Sequence, residues 1–132
     1  MDPDHAKIFS NPKLIDRTAN QFKAALLAIE RTGIPEKHRE MLMVHCRADK
    51  KGLSTGQLAQ AVDYPDHKTV NLQYGTLAKR IANELHIILP ETPDKKPHWW
   101  RALAVGKDVS SESYLWVMRP ELVKALKKLN WA

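Results

Sequence analysis

The segment from Leu53 to Leu85 constrains the fold more than any other part of the chain, because it holds two complete helix starts separated by a short turn. Ser54-Thr55-Gly56-Gln57 fits a capping box: the serine hydroxyl takes the amide hydrogen three residues on, and the glutamine reaches back to the cap. Leu53 and Leu58 are spaced as a hydrophobic staple around that cap, so the pattern predicts a short helix over 55–62. Asp63-Tyr64-Pro65-Asp66 supplies turn residues, and Asp66 can cap a longer helix running to about Leu85. Helix, tight turn and helix in this order form a helix-turn-helix. On the longer helix Val70, Tyr74, Leu77, Ala78, Ile81 and Leu85 fall on one face at 100° per residue and are expected to pack inward. The opposite face carries Lys68, Leu72, Gly75, Thr76, Lys79 and Asn83, with Asn71, Gln73 and Arg80 on its flanks.

The flanking segments complete a small mainly helical domain. Upstream, Ser10 or Asn11 can cap a helix with Pro12 in its first turn. Ile15, Thr18, Ala19, Phe22, Ala25, Leu26 and Ile29 form its apolar face, and Gly33 is its stop. Pro35 opens a second helix to about Ala48, with Met41, Leu42, Val44 and His45 inward, and Asp49 to Gly52 is the polar loop that ends it. Downstream, three prolines at 90, 93 and 97 predict an irregular connector. Trp99 to Val105 and Tyr114 to Met118 read as strands, joined by a polar loop over 106–113 with Lys107 at its tip. In such a strand Trp99 and Trp100 would point to opposite faces. Pro120 opens a closing helix with Leu122, Val123, Leu126 and Leu129 buried and Lys124, Lys127 and Lys128 solvated.

The expected architecture is therefore mainly α with a small β-hairpin, a winged helix-turn-helix-like single domain spanning 1–132. Its parts are a flexible N-terminus (1–9), an N-terminal helical pair (10–52), the helix-turn-helix (53–86), the connector (87–98), the hairpin wing (99–118) and a C-terminal helix (119–132). The second helix of such a motif fits the major groove of B-DNA, where amide and basic side chains match the hydrogen-bonding pattern of base edges while flanking groups hold phosphates. Lys68, Asn71, Leu72, Gly75, Thr76 and Lys79 are the expected base-facing residues, and Arg80, Lys95, Lys96, Arg101 and Lys107 the expected backbone contacts. Leu72 and Trp99 also serve as candidates for a surface that meets a protein partner.

Charge placement sharpens that expectation. The 132 residues hold 21 Lys+Arg against 15 Asp+Glu, a net of +6. Residues 1–94 hold 13 basic and 12 acidic side chains, whereas residues 95–132 hold 8 and 3, so +5 of the excess follows the helix-turn-helix. A local positive field of this kind attracts polyanions, nucleic acid first. With 43% hydrophobic and 27% charged residues the chain has the composition of a globular protein rather than a disordered one. No apolar run approaches the length of a membrane span and no secretory signal is visible. A single cysteine, Cys46, excludes an internal disulfide framework. A cytoplasmic protein is expected.

Chemistry-bearing patterns are sparse. His38, His45 and Cys46 are the sole cluster of soft metal ligands, and His45 and Cys46 diverge on adjacent helical positions where a structural zinc site needs four convergent donors. His45 and Cys46 read as core or semi-buried residues. The five glycines form no phosphate-cradling loop, and neither a GxSxG turn nor an HExxH helix occurs. No catalytic residue, metal or cofactor is expected. The four tryptophans, Trp99, Trp100, Trp116 and Trp131, read mainly as core closure against the last helix, with stacking on an unpaired base as the sharper alternative.

From Leu53 onward LSTGQLAQAVDYPDHKTVNLQYGTLAKRIANEL, HWWRALAVG and YLWVMRPELVKALKKLNW resemble a small winged-helix-like accessory domain of bacterial and phage proteins. Some of these carry an HNH-type restriction endonuclease domain in the same polypeptide. The shared pieces are the VNLQYG..A.R segment, the tryptophan-bearing strand and the W.MRPEL..AL..L.W ending. The resemblance implies recognition of DNA, modified DNA included. The 132 residues hold no HNH module with its paired histidines, so it does not imply cleavage. The function expected is a non-catalytic module that binds double-stranded DNA, as a regulator or as the recognition component of a defence or mobile-element system. The alternative is a small phage-type inhibitor or adaptor that binds a nucleic-acid-handling protein complex such as restriction or CRISPR machinery.

Overall fold

Thr18, which the periodicity placed on an apolar face, is instead the exposed N-cap of the first described helix. Its hydroxyl accepts the Gln21 amide at 3.2 Å and its own amide donates to Gln21 Oε1 at 2.7 Å, a capping box that starts helix α1 (Ala19–Thr32). Our computed structural model describes residues 17–89, 98–110 and 113–132, so the expected cap at Ser10 or Asn11 and the connector prolines lie outside the described residues. Gly33 ends α1 at a φ of 101°, a conformation that side chains disfavour. Pro35 then precedes α2 (Glu36–Ala48), with Met41, Leu42, His45 and Cys46 buried and Val44 half-buried. The loop after α2 is a 3-10 turn (Asp49–Lys51) followed by Gly52 at φ 71°, where a Cβ would lie 2.9 Å from the Trp116 carbonyl oxygen.

The close approach at Gly52 lets Leu53 pair with the hairpin. Leu53 donates its amide to the Trp116 carbonyl at 3.0 Å and accepts the Trp116 amide at 2.8 Å, a one-residue antiparallel bridge. Helix α3 (Thr55–Ala61), the turn and α4 (His67–Leu85) come next, close to the predicted bounds. The hairpin joins β1 (Ala104–Ser110) to β2 (Ser113–Met118) and α5 (Pro120–Lys128) closes the chain, with proline in its first turn. Helix α5 packs on α1 and α2, while α4 packs between α1, α3 and the 99–102 turn. Among the described residues no helix is long and apolar enough to cross a membrane.

Two strand expectations are corrected. Trp99–Ala102 is a 3-10 turn rather than the start of a strand. Tertiary packing overrides β-propensity here: the turn lays Trp100 flat on Trp116, with ring centroids 5.1 Å apart and planes 13° from parallel. It also aims the Arg101 carbonyl at the Arg119 guanidinium, which donates from Nε and Nη2 at 2.9 and 2.8 Å. The second correction lengthens β1 through Ser110, because Gly106 pairs with Trp116 and Lys107 with Leu115, with a bulge between Asp108 and Ser110. Most of the expected loop is thus paired strand. Gly106 lies under the Tyr114 ring, whose hydroxyl would be 1.7 Å from an added Cβ.

One core links all of these elements. Phe22 and Leu26 of α1, Met41 and Leu42 of α2, Leu58 of α3, Leu77 and Ile81 of α4 and Leu122 and Leu126 of α5 are buried around Leu103, Trp116 and Met118. Trp116 and Trp131 are core residues, whereas Trp99 and Trp100 are half-buried against it. The Arg39 guanidinium covers the Trp131 ring at 4.3 Å.

Candidate nucleic-acid interface

Local caps start both α3 and α4. Gln57 donates its amide to Ser54 Oγ at 3.1 Å and Ser54 donates its own to Gln57 Oε1 at 2.9 Å, which is the predicted box. Val62 closes α3, and Asp63 turns the chain at φ 60°, a left-handed position that aspartate tolerates better than most side chains. Lys37 of α2 holds this turn from outside. Its ammonium donates to the Val62 carbonyl and, at 3.4 Å, to that of Asp63, and lies 5.4 Å from the Tyr64 ring centroid. Asp66 Oδ1 then accepts both the Thr69 amide and the Thr69 hydroxyl at 2.9 Å, bonds that hold its carboxyl below the usual range and start α4.

Helix α4 divides as its periodicity predicts. Val70, Tyr74, Leu77, Ala78, Ile81 and Leu85 are buried, and Ala82 joins them. Lys68, Asn71, Leu72, Thr76, Lys79 and Asn83 are exposed and Gly75 is half-exposed among them. The structure therefore gathers all six expected base-facing residues on one accessible stripe. Gln73 leaves the flank: His38 Nε2–H donates to its amide oxygen at 2.7 Å, tying α4 to α2.

A buried polar link holds the hairpin beside α4. His45 of α2 donates from Nε2 to the Trp116 carbonyl at 2.8 Å and accepts the Tyr74 hydroxyl on Nδ1 at 2.5 Å. Burial drives the imidazole pKa from 6.5 to about 4, against a smaller upward pull from the Trp116 bond, and pushes the Tyr74 phenol well above its ordinary value. Both ring nitrogens are thus committed to structure. The neighbouring Cys46 thiol is buried, faces the Val123 carbonyl at 3.9 Å and is raised by desolvation. Among the described residues no group of three or more His, Cys, Asp or Glu side chains is placed to hold a metal ion.

The expected backbone contacts fare unevenly. Arg101 is fully buried, so no phosphate reaches its side chain, and it leaves the set. Arg80 points away from the stripe, donating to the Ile29 carbonyl at 3.2 Å and the Thr32 hydroxyl at 2.8 Å, where it caps the end of α1. Lys107 is exposed but sits within β1 opposite Leu115, not at a loop tip. Lys95 and Lys96 lie outside the described residues. Trp99 is half-buried beside α4, and the Lys79 ammonium stands 5.9 Å from its ring centroid.

Sequence reasoning missed Lys50 and Lys51. The 3-10 turn they occupy packs against β2, and Lys50 shares with Lys107 and Asp49 a groove of about 440 Å³ floored by Val105, Val117, Met118 and Pro120. The Lys-Lys pair was visible, but it was read only as the polar end of a helix. Comparison of the chain with protein-family models, curated proteins and solved structures finds no match.

Proposed function

We propose that this chain is a winged-helix-like module that binds double-stranded DNA without cleaving it, with α4 in the major groove and the hairpin along the backbone. The observation that carries the reading is the α4 stripe. Lys68, Asn71, Thr76 and Lys79 are exposed together on a helix whose opposite face is anchored in the core, and two rigid caps fix its approach. Helix α2, the Leu53 bridge, α3, α4 and then the hairpin follow the winged-helix order, with Leu53 as the short first strand beside Trp116. Lys50, Lys51 and Lys107 supply exposed charge on the hairpin side. Amide groups on α4 suit base edges, and lysines suit phosphate.

A polarisation titration of labelled duplexes, with and without cytosine modification and over a salt series, tests the proposal. The logarithm of the binding constant should fall linearly with the logarithm of salt, and Lys68→Ala or Lys79→Ala should each flatten the slope by about 1. Absence of binding at low salt, or binding with no salt slope, refutes it. Capture of a stoichiometric protein from nuclease-treated lysate, lost on Leu72→Ala but not on Lys107→Ala, would turn the assignment to an inhibitor or adaptor of a nucleic-acid-handling complex.

A further inference from the structure

We infer that Leu72 reads the 5-methyl group of a pyrimidine, so that α4 selects duplexes with a thymine or a 5-methylated cytosine at the position facing it. The inference rests on α4 being the groove-entering helix. A lone exposed leucine is ordinary, but this one has an unusual setting. It is 66% exposed at the centre of a stripe whose other members are polar or glycine.

One turn on, Gly75 occupies the interior of a regular helix, where glycine is unfavourable relative to alanine. Nothing among the described residues requires it, since a Cβ there would meet none of their atoms within 4 Å. A glycine without an internal reason, on the exposed face of a capped helix, fits a surface that something else approaches closely. Thr76, next to it, donates its hydroxyl hydrogen to the Leu72 carbonyl at 3.0 Å, which leaves it without a free donor and offers its methyl and a hydroxyl acceptor to the face. Leu72 and the Thr76 methyl form a small apolar knob, with the thin backbone of Gly75 beside it.

Cations frame this knob. Lys68 and Lys79 are eleven positions apart, about 16 Å along the helix axis at 1.5 Å per residue. Both lie on the face of Leu72, one on each side of it along the axis, and their long side chains can turn from the groove floor towards phosphate while the knob faces the base edges. The apolar feature that base edges present there is the pyrimidine C5-methyl. Asn71, adjacent to Leu72, has the paired donor and acceptor that match an adenine edge. A pocket on a protein partner would instead match a broad apolar patch, and lysine, asparagine and threonine surround Leu72.

The 132-residue chain is titrated by polarisation against the tightest duplex selected from a randomised library, against versions with single dT→dU replacements, and against versions with 5-methyl-dC for dC. Removal of the contacted methyl should weaken binding about fourfold, the equivalent of one buried methyl group. Leu72→Ala should bind methylated and unmethylated duplexes alike, with far-ultraviolet circular dichroism confirming an unchanged fold. Loss on dT→dU identifies thymine as the source, and gain on 5-methyl-dC identifies methylated cytosine. Wild-type binding indifferent to every methyl, or discrimination that survives Leu72→Ala, overturns the inference and leaves DNA binding standing. No duplex bound at all overturns both.

Discussion

Acid should weaken this fold in a defined window through one histidine. His45 is fully buried between α2, α4 and β2, donating from Nε2 to the Trp116 carbonyl and accepting the Tyr74 hydroxyl on Nδ1. Only the neutral ring can do both, because an imidazolium has two donors and no acceptor. Burial holds its pKa at about 4 in the folded chain, against 6.5 when solvated. A folded pKa below the unfolded one means that the unfolded state takes up more protons. The contribution is therefore complete above pH 6.5, is lost progressively as pH falls, and is exhausted below pH 4. A difference of about 2.5 pH units corresponds to about 3 kcal/mol in full, of which about 2 kcal/mol is already lost at pH 5. Against a typical total stability of about 5–15 kcal/mol this is easily measured.

The assay is urea unfolding by tryptophan fluorescence from pH 8 to 5, on the wild type and on His45→Gln. Glutamine keeps a donor and an acceptor but has no titration, so subtraction removes the carboxylates and the exposed histidines common to both proteins. Wild-type stability should fall by about 2 kcal/mol more than that of the variant between pH 7.5 and 5. An NMR titration of the wild type should show the His45 ring neutral down to about pH 5. Parallel pH profiles, or a ring that titrates near 6.5, would refute the reasoning.

Other perturbations separate structure from binding. Gly75→Ala should raise thermal stability by about 0.5–1 kcal/mol, since it removes an interior glycine without a clash, and should weaken binding to every duplex. Calorimetry with a parallel polarisation titration checks the pair, and unchanged binding would remove the reason for the glycine. Gly52→Ala should destabilise by at least about 2 kcal/mol, because it combines a φ of 71° with a Cβ 2.9 Å from the Trp116 oxygen; denaturant midpoints within error of wild type would contradict the bridge geometry. Arg80→Ala should lower stability by about 1 kcal/mol through the lost cap on α1, yet leave the salt slope of DNA binding unchanged. A slope reduced by a full unit would place Arg80 on phosphate after all. Lys50→Ala combined with Lys107→Ala should flatten that slope by about 2 with little effect on folding.

The parts legible in the sequence are those that local chemistry decides. Ser54, Gln57 and Asp66 announced both helices of the central motif because a cap is a short-range bond whose partners are three residues away. The two faces of α4 were legible for the same reason, as a helix turns by a fixed angle per residue. The misreadings arose where distant residues decide. Trp99 and Trp100 have strand-forming side chains, but stacking on Trp116 and packing on α4 bend their backbone into a turn. Lys107 looked like a loop residue because Gly106 precedes it and serines follow. The strand continues because Trp116 and Leu115 lie opposite and Tyr114 covers the glycine. No spacing rule could have found the contact of Leu53 with Trp116, which depends on a missing Cβ at Gly52.

Charge counting placed Arg80 and Arg101 on the surface available to phosphate because it treated arginine and lysine alike. A planar guanidinium can satisfy several carbonyls inside a protein, and this chain uses it for that purpose. Arg119 grips the Arg101 carbonyl and is desolvated enough for its pKa to fall to about 10, Arg17 donates to the Leu85 carbonyl at 3.0 Å at the end of α4, and Arg80 caps α1. These arginines tie helix ends and a turn to elements distant in sequence, Arg119 in the core and Arg17 and Arg80 nearer the surface. Lysines 50, 51, 68, 79 and 107, by contrast, are exposed. If the α4 stripe and the hairpin side meet one duplex, these lysines are the described cations on those two surfaces that can attract phosphate, as flexible point charges with little geometric selectivity. Sequence choice then falls to the uncharged centre of α4, to Asn71, Leu72 and Thr76, where a single methyl group on a base can decide which site is held.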